Sequence, residues 1–184
     1  ISGHDDGAIT ENEMLLQDGK VPNIFEIIKV PLKEKAPDFY QPENVLISNE
    51  KWQRVGIYAK INISKLLDYP NTLWVNEPHL DRVPVEYLQQ KTPESSLLLI
   101  KAKKCRISRE DYTNECGKKK SKVRLLFTYN DIEYNFGVTD IEIEKQFKNQ
   151  PEGLYPIETG DVYLCLSLGV PFNGFCYKLV ATII

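Results

Sequence analysis

The sequence has few of the patterns that reveal chemistry in a chain of this size. Its two histidines, His4 and His79, and its four cysteines form no C-x-x-C pair and no zinc-ligand spacing. A glycine-rich phosphate loop and an H-E-x-x-H segment are also missing. These absences exclude the commonest nucleotide-loop and metal-site motifs, so we expect a protein that is not an enzyme and predict no cofactor.

Long apolar runs and low-complexity tracts are absent as well. The longest apolar run, "SLLLI", is too short to span a bilayer, and no charged-then-apolar leader is present. We therefore predict no membrane partner. Cys165 and Cys176 fall inside predicted strands as free thiols, which favours a reducing, cytoplasmic location. Because the chain opens with Ile1 rather than Met, we expect a fragment of a longer protein.

The 184 residues are 42% hydrophobic and 27% charged, a composition typical of a packed domain. The net charge of -3 argues against general attraction to polyanions, but the charge is unevenly spread. Residues 1–92 hold 10 Lys/Arg and 14 Asp/Glu, whereas Lys101–Arg124 alone holds 10 against 3. This stretch is either a binding site for a phosphate backbone or a solvated hairpin.

The second half of the chain predicts a compact β-structure. "SLLLIKAKKCRI", "KVRLLFTY" and "IEYNFGV" read as strands, the last two joined by the turn Asn130-Asp131. Alternation places Val123, Leu125, Phe127 and Tyr129 on one face, with Lys122, Arg124 and Thr128 opposite. Thr139 and Glu142 suggest a capping box for one helix. "DVYLCLSL" and "GFCYKLVATII" follow as strands, which completes the order of an OB-fold barrel.

The first half is less regular. "NIFEIIKVPL", "ENVLI" and "WQRVGIYAKI" read as strands, and "NISKLLDY" as a short helix. Trp52 and Trp74 are interpreted as core residues. The composition changes around "QQKTPESS", so we predict two domains, 1–92 and 93–184, of which the first is N-terminally incomplete.

Several segments resemble the dual OB-containing domain family in order along nearly the whole chain: "FYQPENVLI", Leu73-Trp74, "SSLLLIKA", "FTYNDIEYNFGVTD" and "YLCLSLGVPFNGFCYKLVATII". The resemblance implies a mainly β fold of two tandem OB-like five-stranded barrels with short helices, the first lacking its N-terminal strand. It also implies a bacterial, antiviral-defence setting, nucleic-acid recognition, and attachment to other domains or protein partners. One fold hosts many functions, and the oligomeric state stays open.

The predicted nucleic-acid site centres on the basic stretch: Lys101, Lys103, Lys104, Arg106, Lys118, Lys119, Lys120, Lys122 and Arg124. OB barrels bind single strands by combining such a groove with aromatic platforms. Tyr129, Tyr134 and Phe136 lie on the apolar face, however, so no stacking platform is predicted. The alternative to a binding site, a solvated loop with no ligand, has equal weight.

Two smaller sites complete the prediction. In "YQPEN", Tyr40 offers a stacking ring, while Gln41 and Asn44 offer hydrogen bonds to a base, although a structural role in a turn is the favoured alternative. Lys178 is predicted to meet a ligand near the last two strands, with Ser167 on the same side. Two enzyme alternatives are weak: a Ser–Lys hydrolase pair, and a metal site at Asp18-Gly19-Lys20 with Asp5 and Asp6.

The main rival to nucleic-acid recognition is a protein–protein interaction or scaffolding domain.

Overall fold

The computed structural model describes residues 1–4, 7–114, 116–158 and 160–184, and the protein is mainly β. It divides into two compact units, Ile1–Leu66 and Leu67–Ile184. The domain boundary predicted at 92–93 falls inside the larger unit, because residues before it are already part of that unit's sheet, with Val83 paired to Cys176. In the described part of the chain, no helix is long and apolar enough to cross a membrane.

The smaller unit is built from short elements. Helix α1 (Glu11–Met14) precedes β1 (Glu26–Lys29), β2 (Leu32–Lys35), β3 (Val45–Ile47) and β4 (Gln53–Ile57), and a 3-10 helix (Lys60–Leu66) ends the unit. β1 pairs with β4 and β2 with β3, giving two separate two-stranded sheets. Strands of three to five residues are too short to wrap around a closed core. The structure therefore does not show the predicted first barrel.

A small core nevertheless organises this unit. Leu16, Trp52 and Ile63 are buried, and an isolated parallel bridge joins Leu16 to Trp52. The predicted core role of Trp52 is confirmed. In the β1–β4 pair, Ile27 and Ile57 are 44% and 76% exposed.

The larger unit contains β5 (Arg82–Pro84), helix α2 (Val85–Gln90), β6 (Leu97–Thr113), β7 (Lys119–Tyr129) and β8 (Ile132–Val138). Helix α3 (Ile141–Phe147), β9 (Gly153–Pro156), β10 (Val162–Phe172) and β11 (Phe175–Ile183) follow. β6, β7, β8, β11 and β10 pair in that order, and β10 returns to β6. All pairs are antiparallel except β8–β11. The predicted second barrel is thus confirmed as a closed five-stranded barrel.

Turn chemistry fixes the hairpins of this barrel. Asn130 and Asp131 both have positive φ, of 47° and 60°, as a tight two-residue turn between right-twisted strands requires. Asn173 and Gly174 repeat the arrangement between β10 and β11. The turn predicted at Asn130-Asp131 is confirmed.

The barrel core follows the predicted alternation. Val123, Leu125, Phe127 and Tyr129 are at most 8% exposed, and the ring of Phe127 stacks on that of Tyr134 with centroids 5.5 Å apart. Burying each such side chain contributes about 1.5–3 kcal/mol.

All four cysteines are free. Cys176 is buried and Cys165 is partly buried, while burial raises the pKa of the Cys105 thiol to about 11.

Helix α3 contributes Ile143 and Phe147 to the edge of this core. The predicted capping box at its start is wrong in detail, because Asp140, not Thr139, is the N-cap. The Asp140 carboxylate accepts hydrogen bonds from the backbone N–H groups of Glu142 and Ile143. An aspartate is one of the strongest N-caps and also favours the positive end of the helix dipole.

Candidate nucleic-acid interface

Nine of the ten predicted basic residues of the larger unit lie on β6, on β7 or on the loop that connects them, and the tenth, Lys178, lies on β11. Strand β6 carries Lys101, Lys103, Lys104 and Arg106, while the connecting loop and β7 carry Lys118, Lys119, Lys120, Lys122 and Arg124. At Lys104, which has a φ of +52°, the register between β6 and β7 shifts. This bulge lets β6 pair with β10 through its first part and with β7 beyond it, and bulges also increase local bending.

The two faces of the hairpin are distinct. Since Val123 and Leu125 point into the core, Lys122 and Arg124, which alternate with them along the strand, point outward. Arg106, paired with Leu126, and Tyr112, paired with Lys120, belong to the same outward face. We call this surface, formed by Arg106, Ser108, Glu110 and Tyr112 of β6 with Lys120, Lys122 and Arg124 of β7, the outer face. Lys119 lies on the opposite side.

Three of the predicted cations are balanced by carboxylates. The ammonium of Lys122 lies 2.9 Å from a carboxylate oxygen of Glu110, and that of Lys101 lies 2.7 Å from Asp161. Hydrogen bonds from Lys122, and then from Ser108, lower the pKa of Glu110. Exposed pairs of this kind contribute little to stability, but they reduce the local positive potential.

Arg124 is the third balanced cation. A terminal nitrogen of its guanidinium lies 3.7 Å from the Asp81 carboxylate, just before β5. The same guanidinium donates to both the side-chain and the backbone oxygen of Asn135 on β8. Arg124 is therefore held flat against the sheet, and its charge is partly used within the protein.

The other predicted cations of the hairpin are available to bind an anionic ligand. Their side chains are exposed and have no ion-pair partner among the described residues: Lys103, Lys104, Arg106, Lys118, Lys119 and Lys120. Because protein carboxylates do not neutralise these charges, they can attract a polyanion such as a nucleic-acid strand.

Two aromatic residues that the sequence reading missed flank these charges. Tyr112 is 42% exposed and sits directly opposite Lys120 on the outer face. Tyr69, 77% exposed, lines a cavity with Lys101 and Lys103 near the other end of β6. The alternation of Arg106, Ser108, Glu110 and Tyr112 was the available signal for the first ring. Both rings are free to stack on a base.

Lys178 does not belong to this surface, which corrects the prediction made for it. It is 1% exposed and points into the barrel, where its ammonium donates to the Val75 carbonyl at 2.6 Å and to the Asn76 side-chain oxygen at 3.3 Å. Burial lowers the pKa of this lysine to about 7, and the carboxylate of Asp81 partly opposes that effect.

Ser167 also differs from the prediction. It pairs with Leu179, whereas Lys178 pairs with Leu168, so the side chains of Ser167 and Lys178 lie on opposite faces of the β10–β11 ladder. Leu164 and Leu166 share the inner face with Lys178, while Tyr177 and Leu179 are on the outer side. The prediction that Ser167 and Lys178 share one side is therefore wrong, and the weak alternative of a Ser–Lys hydrolase pair receives no support.

The "YQPEN" segment forms the connection between β2 and β3 in the smaller unit. The Asn44 side-chain amide donates to the Gln41 side chain at 2.9 Å, and the Asn44 backbone N–H donates to the Gln41 carbonyl. The ring of Tyr40 contacts that of Phe39 edge-on, with centroids 5.0 Å apart. These internal contacts favour the structural alternative for Gln41 and Asn44.

The weak metal-site alternative receives no support at Asp18. Its carboxylate accepts from the backbone N–H of Lys20 and lies 3.3 Å from Arg54, as expected for a tight turn. Asp5 and Asp6 lie outside the described residues. Within the described ranges, no group of three or more His, Cys, Asp or Glu side chains is arranged to hold a metal ion.

Comparison with known proteins identifies one family. The family model described as dual OB-containing domain matches residues 1–183, almost the entire chain. Neither the curated proteins nor the solved structures include a significant match.

Proposed function

This chain belongs to the dual OB-containing domain family, and we propose that it is a non-catalytic recognition module for single-stranded nucleic acid. One observation carries the proposal: the outer face joins unpaired cations to an exposed tyrosine on the hairpin that extends from a closed OB barrel. OB barrels bind oligonucleotides on the face of their second and third strands and on the adjoining loops. Here those strands are β7 and β8, and the outer face lies on β7 and on its hairpin with β6, which includes one of the adjoining loops.

The binding mode follows from the positions of these groups. Arg106, Lys118 and Lys120 would contact phosphates, while the Tyr112 ring would stack on a base held between them. Each phosphate contact releases counterions, so the affinity would fall with salt at a slope of about -0.7 per contact on a single strand. With three contacts we expect a slope of about -2. Stacking on Tyr112 adds about 1–3 kcal/mol.

The test uses labelled single-stranded DNA and RNA of about 15 nucleotides, a length that such barrels can cover. Fluorescence anisotropy at about 50 and about 200 mM salt gives the affinity and its salt dependence. The double variant Arg106→Glu with Lys120→Glu should lose binding at both concentrations. Tyr112→Ala should weaken binding without changing the salt slope.

A matched control removes the same charge elsewhere. Lys29→Glu with Lys35→Glu changes the net charge equally, on exposed positions of the smaller unit. It should retain binding, and both double variants should keep the parental melting temperature. If the two double variants bound equally well, the outer face would not be the binding surface.

A second candidate function, a protein-interaction domain, is favoured by the β10–β11 hairpin. Val170 and Phe172 are exposed at its end, and the Arg82 guanidinium carbon lies 4.7 Å from the centre of the Phe175 ring. Exposed apolar groups beside an arginine are typical of contact sites between proteins. Light scattering across a concentration series tests self-association, which Phe172→Ser should abolish if this hairpin mediates it.

The proposal also includes a setting. A cytoplasmic location is supported by the four free cysteines. A place in a larger bacterial protein, with a role in antiviral defence, rests on the family resemblance alone.

A further inference from the structure

A second group of cations lies on the side of the β6–β7 hairpin opposite the outer face. It lines a cavity of about 440 Å³, whose walls include Arg109, Asp111, Lys119, Ser121, Lys148 and Asn149. Lys120, whose pairing places it on the outer face, also contributes to the lining. Asp111 and Ser121 are cross-strand partners, while Lys148 is the C-cap of α3 and Asn149 follows it. The cavity is therefore an open depression between the hairpin and the end of the helix.

Arg109 is held in place at this cavity. Its side chain is only 11% exposed, and one terminal nitrogen donates to the Asp111 carboxylate at 2.7 Å. The other donates to the backbone carbonyl of Lys148 at 3.4 Å, and the buried Nε–H has no acceptor among the described residues. The backbone N–H of Asp111 donates to Glu152 at 2.6 Å. The guanidinium is thus oriented before any ligand arrives.

The charge of the cavity is strongly positive. Arg109 already neutralises Asp111, the only carboxylate among the described lining residues. Lys119, Lys120 and Lys148 are exposed and have no ion pair within the described ranges. Three positive charges therefore remain without a counter-charge, together with the hydroxyl of Ser121 and the amide of Asn149 as neutral hydrogen-bonding groups.

We propose that this cavity binds a phosphate monoester, the group that ends a phosphorylated nucleic-acid strand or a nucleotide. A monoester carries nearly two negative charges at neutral pH, whereas each internal phosphate carries one. The exposed ammonium groups of Lys119, Lys120 and Lys148 match the dianion by charge-assisted hydrogen bonds, beside the oriented guanidinium of Arg109. For a strand end, this inference rests on the proposed function, since the cavity lies across the hairpin from the outer face.

The first test compares one oligonucleotide in three forms: with hydroxyl ends, with a 5′-phosphate and with a 3′-phosphate. We expect one phosphorylated form to bind about tenfold more tightly than the hydroxyl form. Lys148→Glu should remove that preference and leave binding of the hydroxyl form unchanged. The control Lys145→Glu, on the same helix but outside the cavity, should keep it. Equal binding of all three forms refutes recognition of a strand end and leaves the proposed function standing.

The second test does not depend on strand binding. Inorganic phosphate and a nucleoside 5′-monophosphate are titrated separately into the ¹⁵N-labelled chain, and backbone amide shifts are followed by NMR. Saturable shifts at residues 119–121 and 148–149 are expected in the parent and in Lys145→Glu, but not in Lys148→Glu. A response to the nucleotide alone identifies a nucleotide source. Absence of any shift refutes the site, whereas shifts without strand binding refute only the nucleic-acid function.

Discussion

Replacing Lys178 by methionine tests the least expected feature of the barrel, a lysine in its interior. The side chain is 1% exposed, and its ammonium donates to the Val75 carbonyl and the Asn76 side chain, 5.9 Å above the centre of the Phe136 ring. Methionine has a similar length and no charge. The substitution therefore removes the cost of burying an ammonium group while it keeps most of the packing.

The size of the effect follows from the pKa of Lys178, which falls from 10.5 to about 7 in the folded protein. Between these values the unfolded chain binds more protons, so the free energy of unfolding rises with pH. The penalty is complete below pH 7 and is relieved as pH increases towards 10.5. At about 1.4 kcal/mol per pKa unit, the penalty falls from roughly 5 kcal/mol at pH 6 to roughly 2 at pH 9.

The measurement is urea unfolding of Lys178→Met and of the parent between pH 6 and pH 9. Both carry Trp52→Phe, so that the fluorescence of Trp74 reports on the larger unit alone. The lost hydrogen bonds to Val75 and Asn76 do not titrate in this range, so they shift the curves by a constant. The parent should gain about 3 kcal/mol relative to the variant from pH 6 to pH 9.

An exposed lysine supplies the control for that experiment. Lys145→Met, on the surface of α3, should unfold in parallel with the parent at every pH. If Lys178→Met also ran parallel to the parent, the buried ammonium would titrate as it does in water, and the reasoning from burial would be refuted.

Three further predictions concern the cap, the core and the outer face. Asp140→Ala should lower the free energy of unfolding by about 1 kcal/mol, measured in urea, because two N-terminal N–H groups of α3 lose their acceptor. Phe136→Ala should lower it by about 3–5 kcal/mol, since this ring is fully buried and contacts two other rings, whereas the same change at exposed Phe172 should cost far less. Glu110→Gln should release Lys122 from its ion pair and increase nucleic-acid affinity several-fold at low salt, with a steeper salt slope in anisotropy; unchanged affinity would mean that Lys122 does not meet the strand.

The barrel was predictable because its signals are local. The alternation from Val123 to Tyr129 follows directly from having one face in the core, and Asn130-Asp131 is a turn that tolerates two positive φ values. Five strands with one helix after the third then leave few closed arrangements. The sequence order therefore sufficed for the fold of the larger unit.

The smaller unit and the interior lysine were not predictable in the same way. Strands β1 to β4 have three to five residues each, too few for periodicity to decide which of them pair. Lys178 occupies an inward position in the alternation of β11. From sequence alone a lysine is assigned to the outer side, because its hydrogen-bond partners, Val75 and Asn76, are not known. Those partners lie about one hundred residues earlier in the chain, where no local pattern identifies them.

The position of the basic charge has a structural reason. Inside the barrel each strand must give one face to the core, but β6 and β7 continue past it, and the strict burial alternation of β7 ends at Val123. Beyond Val123 neither face of the hairpin packs against the barrel core. Both faces can therefore carry charged side chains without burying them. Lys119 lies on the cavity side, and Lys120 belongs to the outer face and also contributes to the lining of the cavity. One projecting hairpin thus carries cations on both of its faces, as the proposed strand and terminal-phosphate sites require.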